Sequence, residues 1–167
     1  MIKVLLVDDD YLALEGLCRM LHWDDFNGEL AGCATDGVEA VSMIEDNPPD
    51  VVVADIKMPR MNGIELSRYL YENHRGTRII LLSGHSEFEY AQKALQYRVT
   101  DYILKPVTRQ KIKELELLLT KIGKDLAAKK EIRRLTGSEA LKDRMLSLLR
   151  RGDEKTVYEF LHDGVLA

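Results

Sequence analysis

Apolar residues in this chain fall into short runs separated by longer amphipathic stretches, and the two alternate over the first hundred residues. The run Val51-Val52-Val53-Ala54 ends on Asp55, and Pro59 and Gly63 mark a turn just beyond. A wholly apolar run of this length, rich in β-branched residues, suits a strand buried on both faces of a parallel sheet. Lys3 to Asp8 repeats the pattern at the start of the chain, closing on the carboxylates Asp8, Asp9 and Asp10. Leu30 to Ala34 predicts a weaker strand, Arg78 to Ser83 another, and Asp101 to Leu104 a short one. Tyr11 to Leu21 predicts a helix, with Leu14, Leu17, Cys18 and Leu21 at helical spacing. Further helices are predicted over Gly37 to Asp46, capped by Asp36 and broken by Pro48-Pro49, over Gly63 to about His74, and over Glu87 to Gln96. Trp23 to Gly28 reads as a loop with an Asn27-Gly28 turn. Strands alternating with helices in this way predict a doubly wound parallel α/β sheet of five strands and five helices, because parallel strands need crossover helices.

From Thr108 the pattern becomes one long helix. Ile112, Leu115, Leu119, Ile122 and Leu126 recur at spacings of three and four, an a/d seam of about two heptads. Lys129 interrupts it, with Ile132 and Leu135 beyond. Ile112 to Leu119 are expected to pack on the sheet. From Ile122 onward the sheet is expected to be exhausted and a partner helix to take over. Thr136-Gly137-Ser138 is a break, and Ala140 to Arg150 and Thr156 to Leu161 predict two short helices. The resulting division is a domain over residues 1–122 and a helical linker or tail over 123–167.

With 167 residues and 46% hydrophobic content, the chain suits one ordinary domain with an appendage. Its net charge of −4 splits into −8 over residues 1–105 and +4 over residues 106–167. An acidic body argues against direct nucleic-acid binding by that part. The basic residues of the tail are interspersed, as on a solvated helix face. Cys18 and Cys33 lie within apolar patterns and read as two buried thiols in a reducing compartment, not as a disulfide or a metal site. No charged-then-apolar leader opens the sequence and no apolar run approaches a membrane span, so a soluble, cytoplasmic protein with no membrane partner is expected. Neither GxGxxG nor GxxxxGK[ST] occurs, which disfavours a nucleotide-binding version of the architecture.

In open α/β sheets, ligands collect at the carboxyl ends of the strands. Asp8, Asp9, Asp55, Ser83 and Lys105 all fall at or just past predicted strand ends. Gaps of 47, 28 and 22 residues separate Asp8, Asp55, Ser83 and Lys105, and each holds whole βα units, so all can converge on one edge. Taken singly each has a plainer reading: Asp10 as a helix cap, Ser83 as a turn residue, Lys105 as a solvated charge. Taken jointly they carry chemistry. Three neighbouring carboxylates repel and need a cation at neutral pH. Oxygen-only ligands favour a hard cation, Mg²⁺ foremost. A carboxylate on a metal beside a lysine can attack phosphorus to form an aspartyl phosphate, with metal and ammonium neutralising the phosphoryl oxygens. A hydroxyl such as that of Ser83 can then donate to a phosphoryl oxygen. His85 reads as a surface loop residue, and His22, His74 and His162 have no partners at metal-ligand spacing.

Leu6-Val7-Asp8-Asp9-Asp10, Asp55-Ile56-Lys57-Met58-Pro59 with Gly63, Leu82-Ser83-Gly84, and Asp101-Tyr102-Ile103-Leu104-Lys105-Pro106 resemble the motifs of the response-regulator receiver domain, over residues 1–122. The resemblance implies a flavodoxin-like (βα)₅ fold and transfer of a phosphoryl group from a sensor histidine kinase to Asp55. It implies that Asp8 and Asp9 hold Mg²⁺ together with Asp55 and the backbone carbonyl of Lys57. It implies that Ser83 and Lys105 contact the phosphoryl group and that Tyr102 swings inward as Ser83 moves. A cis peptide at Lys105-Pro106 is also implied, which proline tolerates. Asp10 departs from the family, where Glu is commoner, but keeps the charge. Gly84-His85-Ser86-Glu87-Phe88-Glu89-Tyr90-Ala91 and the Trp23 loop are similar to receivers attached to AraC-type DNA-binding domains. Two short helices cannot supply the paired helix-turn-helix motifs of such a domain, so DNA is expected to be reached only through an output domain outside these residues.

The expected function is thus a phosphorylation switch. Charge added at Asp55 repacks the face around Tyr102 and favours a homodimer extended by the 112–126 helix. Such a phosphoacceptor catalyses its own phosphorylation and slow dephosphorylation and is not an enzyme acting on an outside substrate. Two rivals stand beside it. An aspartyl-nucleophile phosphohydrolase usually has a second acid two residues after the nucleophile, where this chain has Lys57. A constitutive dimerisation module would keep the acidic site as a vestige.

Overall fold

The computed structural model describes residues 1–84 and 96–136. Strands β1 (Ile2–Val7), β2 (Gly28–Ala34), β3 (Val51–Asp55), β4 (Arg78–Ser83) and β5 (Asp101–Leu104) form one parallel sheet in the order β2-β1-β3-β4-β5. This is the flavodoxin-like order, with its switch point between β1 and β3. Helices α1 (Tyr11–Met20), α2 (Gly37–Asp46) and α3 (Gly63–Asn73) connect the strands, and a long helix runs over Arg109–Thr136. The helix expected at Glu87 to Gln96, the break after Thr136 and the short helices expected at Ala140 to Arg150 and Thr156 to Leu161 lie wholly or largely outside the described residues.

Burial explains the two kinds of strand. β3 is central, and all five of its residues are buried, which is why its sequence shows no alternation. β2 lies at the sheet edge and is only partly covered. Its pairing with β1 slips between Val4 and Leu5, a bulge at Ala31 and Gly32. Cys33 is therefore exposed and Cys18 half-buried, which corrects the expectation of two buried thiols. An apolar neighbourhood in sequence does not bury a residue on an edge strand. The Trp23 segment is also more ordered than a loop. Trp23–Phe26 makes a 3₁₀ turn that ends on Asn27 in the left-handed region, and the Trp23 indole donates to the Cys18 carbonyl at 3.0 Å.

The long helix departs from expectation at one point. Ile112, Leu115 and Leu119 are buried as predicted, but so is Ile122, at 4% exposure. Gly123 continues the contact: a Cβ there would lie 3.3 Å from the Ile2 side chain. The first residue of β1 and the 3₁₀ turn prolong the core by one more helical turn than the strands alone would. The stripe from Ile112 to Ile122 is consumed within its own domain, so it is not a free seam for a second helix. Leu126 is half-buried and Ile132 is exposed. Two compact units result, residues 1–123 and 124–167.

The turn after β3 is built on a close approach. Asn62 caps α3 by accepting from the amides of Ile64 and Glu65, while the Glu65 carboxylate accepts from the Asn62 amide. At Gly63 a Cβ would sit 2.3 Å from the Asp55 carbonyl oxygen and 3.0 Å from the Ile56 Cα. Both are backbone and cannot rotate away. Gly63→Ala is expected to cost about 2–3 kcal/mol through overpacking, read as a lower urea midpoint at unchanged slope.

Candidate functional site

β1 and β3 run side by side, with Val7 paired to Ala54, so Asp8 and Asp55 leave the sheet as neighbours. One carboxylate oxygen from each of Asp8, Asp9 and Asp55 lies within 4.8 Å of the others. Asp8 and Asp55 are buried, and Asp9 is exposed. Lys105 arrives from the far side of the sheet, where its amide donates to the Ser83 carbonyl at 2.6 Å. Its ammonium lies 2.9 Å from Asp8 Oδ2 and 3.1 Å from Asp55 Oδ1. The Lys105-Pro106 peptide is cis.

The charges do not balance. Burial pushes the Asp55 carboxyl above its ordinary value, Asp8 pushes the same way, and Lys105 only partly opposes them. Burial also works against the Lys105 ammonium, but the hydrogen bond to Asp8 and the charges of Asp55 and Asp8 outweigh it and hold Lys105 above the ordinary lysine value. Two buried carboxylates thus share one ammonium, and an exposed third lies beside them. An all-oxygen donor set short of positive charge fits a hard divalent cation. Asp10 stands outside the cluster. Its carboxylate caps α1, accepting from Leu12 N at 2.9 Å and Ala13 N at 3.4 Å, and its amide donates to Asp8 Oδ1 at 3.0 Å.

Ser83 is fully buried at the end of β4 and donates to the Gly84 carbonyl at 3.0 Å. The Tyr102 hydroxyl donates to Ser83 Oγ, with the Tyr102 ring half-buried against the core. Tyr102 is therefore already turned toward Ser83 in this arrangement. Lys57 is exposed on the loop two residues beyond Asp55.

Two long-range contacts have no local signal in the sequence. The Arg60 guanidinium pairs with the buried Asp36, which also caps α2 through Val38 N at 2.8 Å and Glu39 N at 3.0 Å. The Gly37 amide donates to the Met61 carbonyl at 3.1 Å. Together these ties fix the loop that follows Asp55 to the start of α2. His22 does acquire partners: its amide and Nδ1 lie 2.9 and 3.0 Å from Glu116 Oε1, and Asp25 joins them within 4.8 Å. The 94-residue separation of His22 and Glu116 hides this from any spacing rule. His74 faces the Tyr69 hydroxyl at 3.5 Å. His85 and His162 lie outside the described residues.

The family model for the response regulator receiver domain matches residues 4–115, which hold every residue of the acidic cluster and Lys105. This chain belongs to the response-regulator receiver family. Among relatives of this receiver, the transcriptional regulatory protein HptR of Staphylococcus aureus is 37% identical over 126 residues, covering 75% of this chain and 48% of its own length. The transcriptional regulatory protein YesN of Bacillus subtilis is 36% identical over 132 residues, covering 78% of this chain and 36% of its own length. The chain thus spans about half the length, or less, of the curated relatives it matches. The receiver domain of the response regulator AraT from Geobacillus stearothermophilus superposes with a TM-score of 0.70 at 34% identity, over 77% of this chain and 98% of that one. A two-component transcriptional regulator AraC from Clostridium phytofermentans superposes with a TM-score of 0.68 at 29% identity, over 75% of this chain and 97% of that one. The relatives are transcriptional regulators, and the neighbours of this receiver include AraC-type ones. Among the described residues no helix is long and apolar enough to cross a membrane.

Proposed function

We propose that this receiver takes a phosphoryl group onto Asp55 from a sensor histidine kinase and relays the change to a transcriptional output. The observation that carries the reading is the Asp8, Asp9 and Asp55 cluster with Lys105 bridging Asp8 and Asp55. Asp8, Asp9 and Asp55, with the backbone carbonyl of Lys57, would hold Mg²⁺, which when bound supplies positive charge for the phosphoryl oxygens. Asp55 attacks the phosphorus of a phosphohistidine: the new O–P bond forms, the N–P bond breaks, and the imidazole leaves with the electron pair. Lys105 stays charged throughout and neutralises the incoming oxyanion. Ser83 donates to a phosphoryl oxygen in place of the Gly84 carbonyl, and Tyr102 follows it inward. Such a site turns over only its own acyl phosphate, not an outside substrate.

In this reading residues 123–167 are a linker toward an AraC-type DNA-binding output domain, and the protein works in the cytoplasm. Any homodimer forms on surfaces other than the buried stripe of the long helix. The test is incubation with acetyl phosphate and Mg²⁺, followed by intact mass measurement of a base-labile phosphoryl adduct. No adduct under these conditions defeats the proposal. A second expectation isolates the ion. At a hundredfold excess over its Kd, Mg²⁺ stabilises the wild type by about 2.7 kcal/mol, read as a higher melting temperature. Asp9→Ala loses most of that gain, and because Asp9 is exposed its metal-free melt stays close to wild type.

A further inference from the structure

We propose that the opposite, amino-terminal end of the sheet carries an anion site formed by Arg75, Arg78 and Arg98 around Tyr71, which takes the phosphate group of a small phosphate monoester. Arg78 opens β4, Arg98 sits just before β5, and Arg75 follows α3, so the parallel pairing of β4 with β5 brings the three together. The Arg75 and Arg98 guanidinium carbons lie 5.6 and 5.8 Å from the Tyr71 ring centroid, and the Tyr97 ring lies 6.4 Å from it. They border a recess of about 80 Å³ whose floor includes the buried Leu70 and Ile79.

A solvated cluster of arginines is the plainer explanation, and three observations weigh against it. Arg19, Arg60 and Arg68 each pair with a carboxylate, as expected in a body of net charge −8. Among the described residues, Arg75, Arg78 and Arg98 have no carboxylate or hydrogen-bond partner for their guanidiniums; only the Tyr71 ring offsets the charge of two of them. All three line one concave recess, Arg78 half-buried and Arg75 and Arg98 exposed. A guanidinium presents paired N–H donors that match an oxyanion, and an apolar floor strengthens the attraction. The recess lies at the far end of the sheet from Asp55, and what it recognises of the ligand is the phosphate oxyanion.

Titration with methyl phosphate in EDTA, against sodium chloride at matched ionic strength, tests this by backbone amide NMR. The expected result is saturable shifts confined to residues 75–79 and 97–98. Arg78→Gln and Arg98→Gln should each weaken binding by about tenfold or more. Shifts that do not saturate, that chloride reproduces, or that centre on Asp8 and Asp55 would overturn the site, as would an unchanged Kd in both variants. Each variant should keep the wild-type melt and the adduct at Asp55, which separates this site from the phosphoacceptor. If a strand-end variant fails to fold, Arg75→Gln replaces it, since Arg75 is exposed and outside the strands.

Discussion

Asp55→Asn is expected to abolish the base-labile adduct, lowering its rate of formation by more than about 10³-fold, the scale seen when a nucleophile is removed. The amide oxygen keeps the shape of the carboxylate and can still accept from Lys105, so loss of the adduct reports lost nucleophilicity and not a lost fold. The neighbouring acids cannot substitute. Asp8 spends Oδ1 on the Asp10 amide and Oδ2 on the Lys105 ammonium. Asp9 is exposed, and Lys105 makes its ion pairs with Asp8 and Asp55. An equal yield of adduct on the asparagine variant would move the phosphoryl group to another residue and dismantle the proposed role of Asp55.

The same variant carries a stability signature of definite sign. Burial raises the Asp55 carboxyl above its ordinary value. An acid raised in the folded state costs stability while both states are ionised. The cost starts to lift as pH falls through the folded pKa and is gone below the unfolded value. Asp55→Asn should therefore melt above the wild type at neutral pH in EDTA, with the gap closing as pH falls toward the ordinary carboxylate range. Mg²⁺ should narrow the gap at neutral pH as well, because it stabilises only the wild type strongly.

The core and the acidic pocket were legible because they depend on strands buried from both sides. Val51 to Asp55 is legible to the residue, since an unbroken β-branched run suits a strand covered on both faces, and all five residues are buried. Asp36 and Asp10 were read as caps because capping is local, and both do cap. What escaped was set by contacts distant in sequence. Cys33 looked buried until its strand proved to be an edge. Ile122 looked surplus to the sheet until Ile2 and the 3₁₀ turn met the helix there. The Asp36–Arg60 and His22–Glu116 pairs join segments 24 and 94 residues apart, and no periodicity announces them. Nothing in the sequence singles out Arg75, Arg78 and Arg98, which the pairing of β4 with β5 brings to one end of the sheet.

Lys105→Met is expected to separate catalysis from metal binding. Methionine keeps much of the unbranched stem but removes the one ammonium shared by Asp8 and Asp55. Formation of the adduct should fall by about 10²–10³-fold, the cost of losing one charge aimed at a developing oxyanion. The carboxylates are then left facing each other without a counter-charge. Breaking a buried pair costs about 3–5 kcal/mol, but the Lys105 side chain is 31% exposed, so solvent screening reduces the expected loss in EDTA to about 1–2 kcal/mol. Mg²⁺ should recover that loss, so the ion raises the melting temperature of Lys105→Met more than that of the wild type. The two readouts move in opposite directions: slower chemistry, stronger stabilisation by the ion. A lysine that merely held the fold together would lower both. If Mg²⁺ fails to restore the melt, or if the adduct forms at the wild-type rate, Lys105 is neither the counter-ion of the cluster nor the partner of the phosphoryl group.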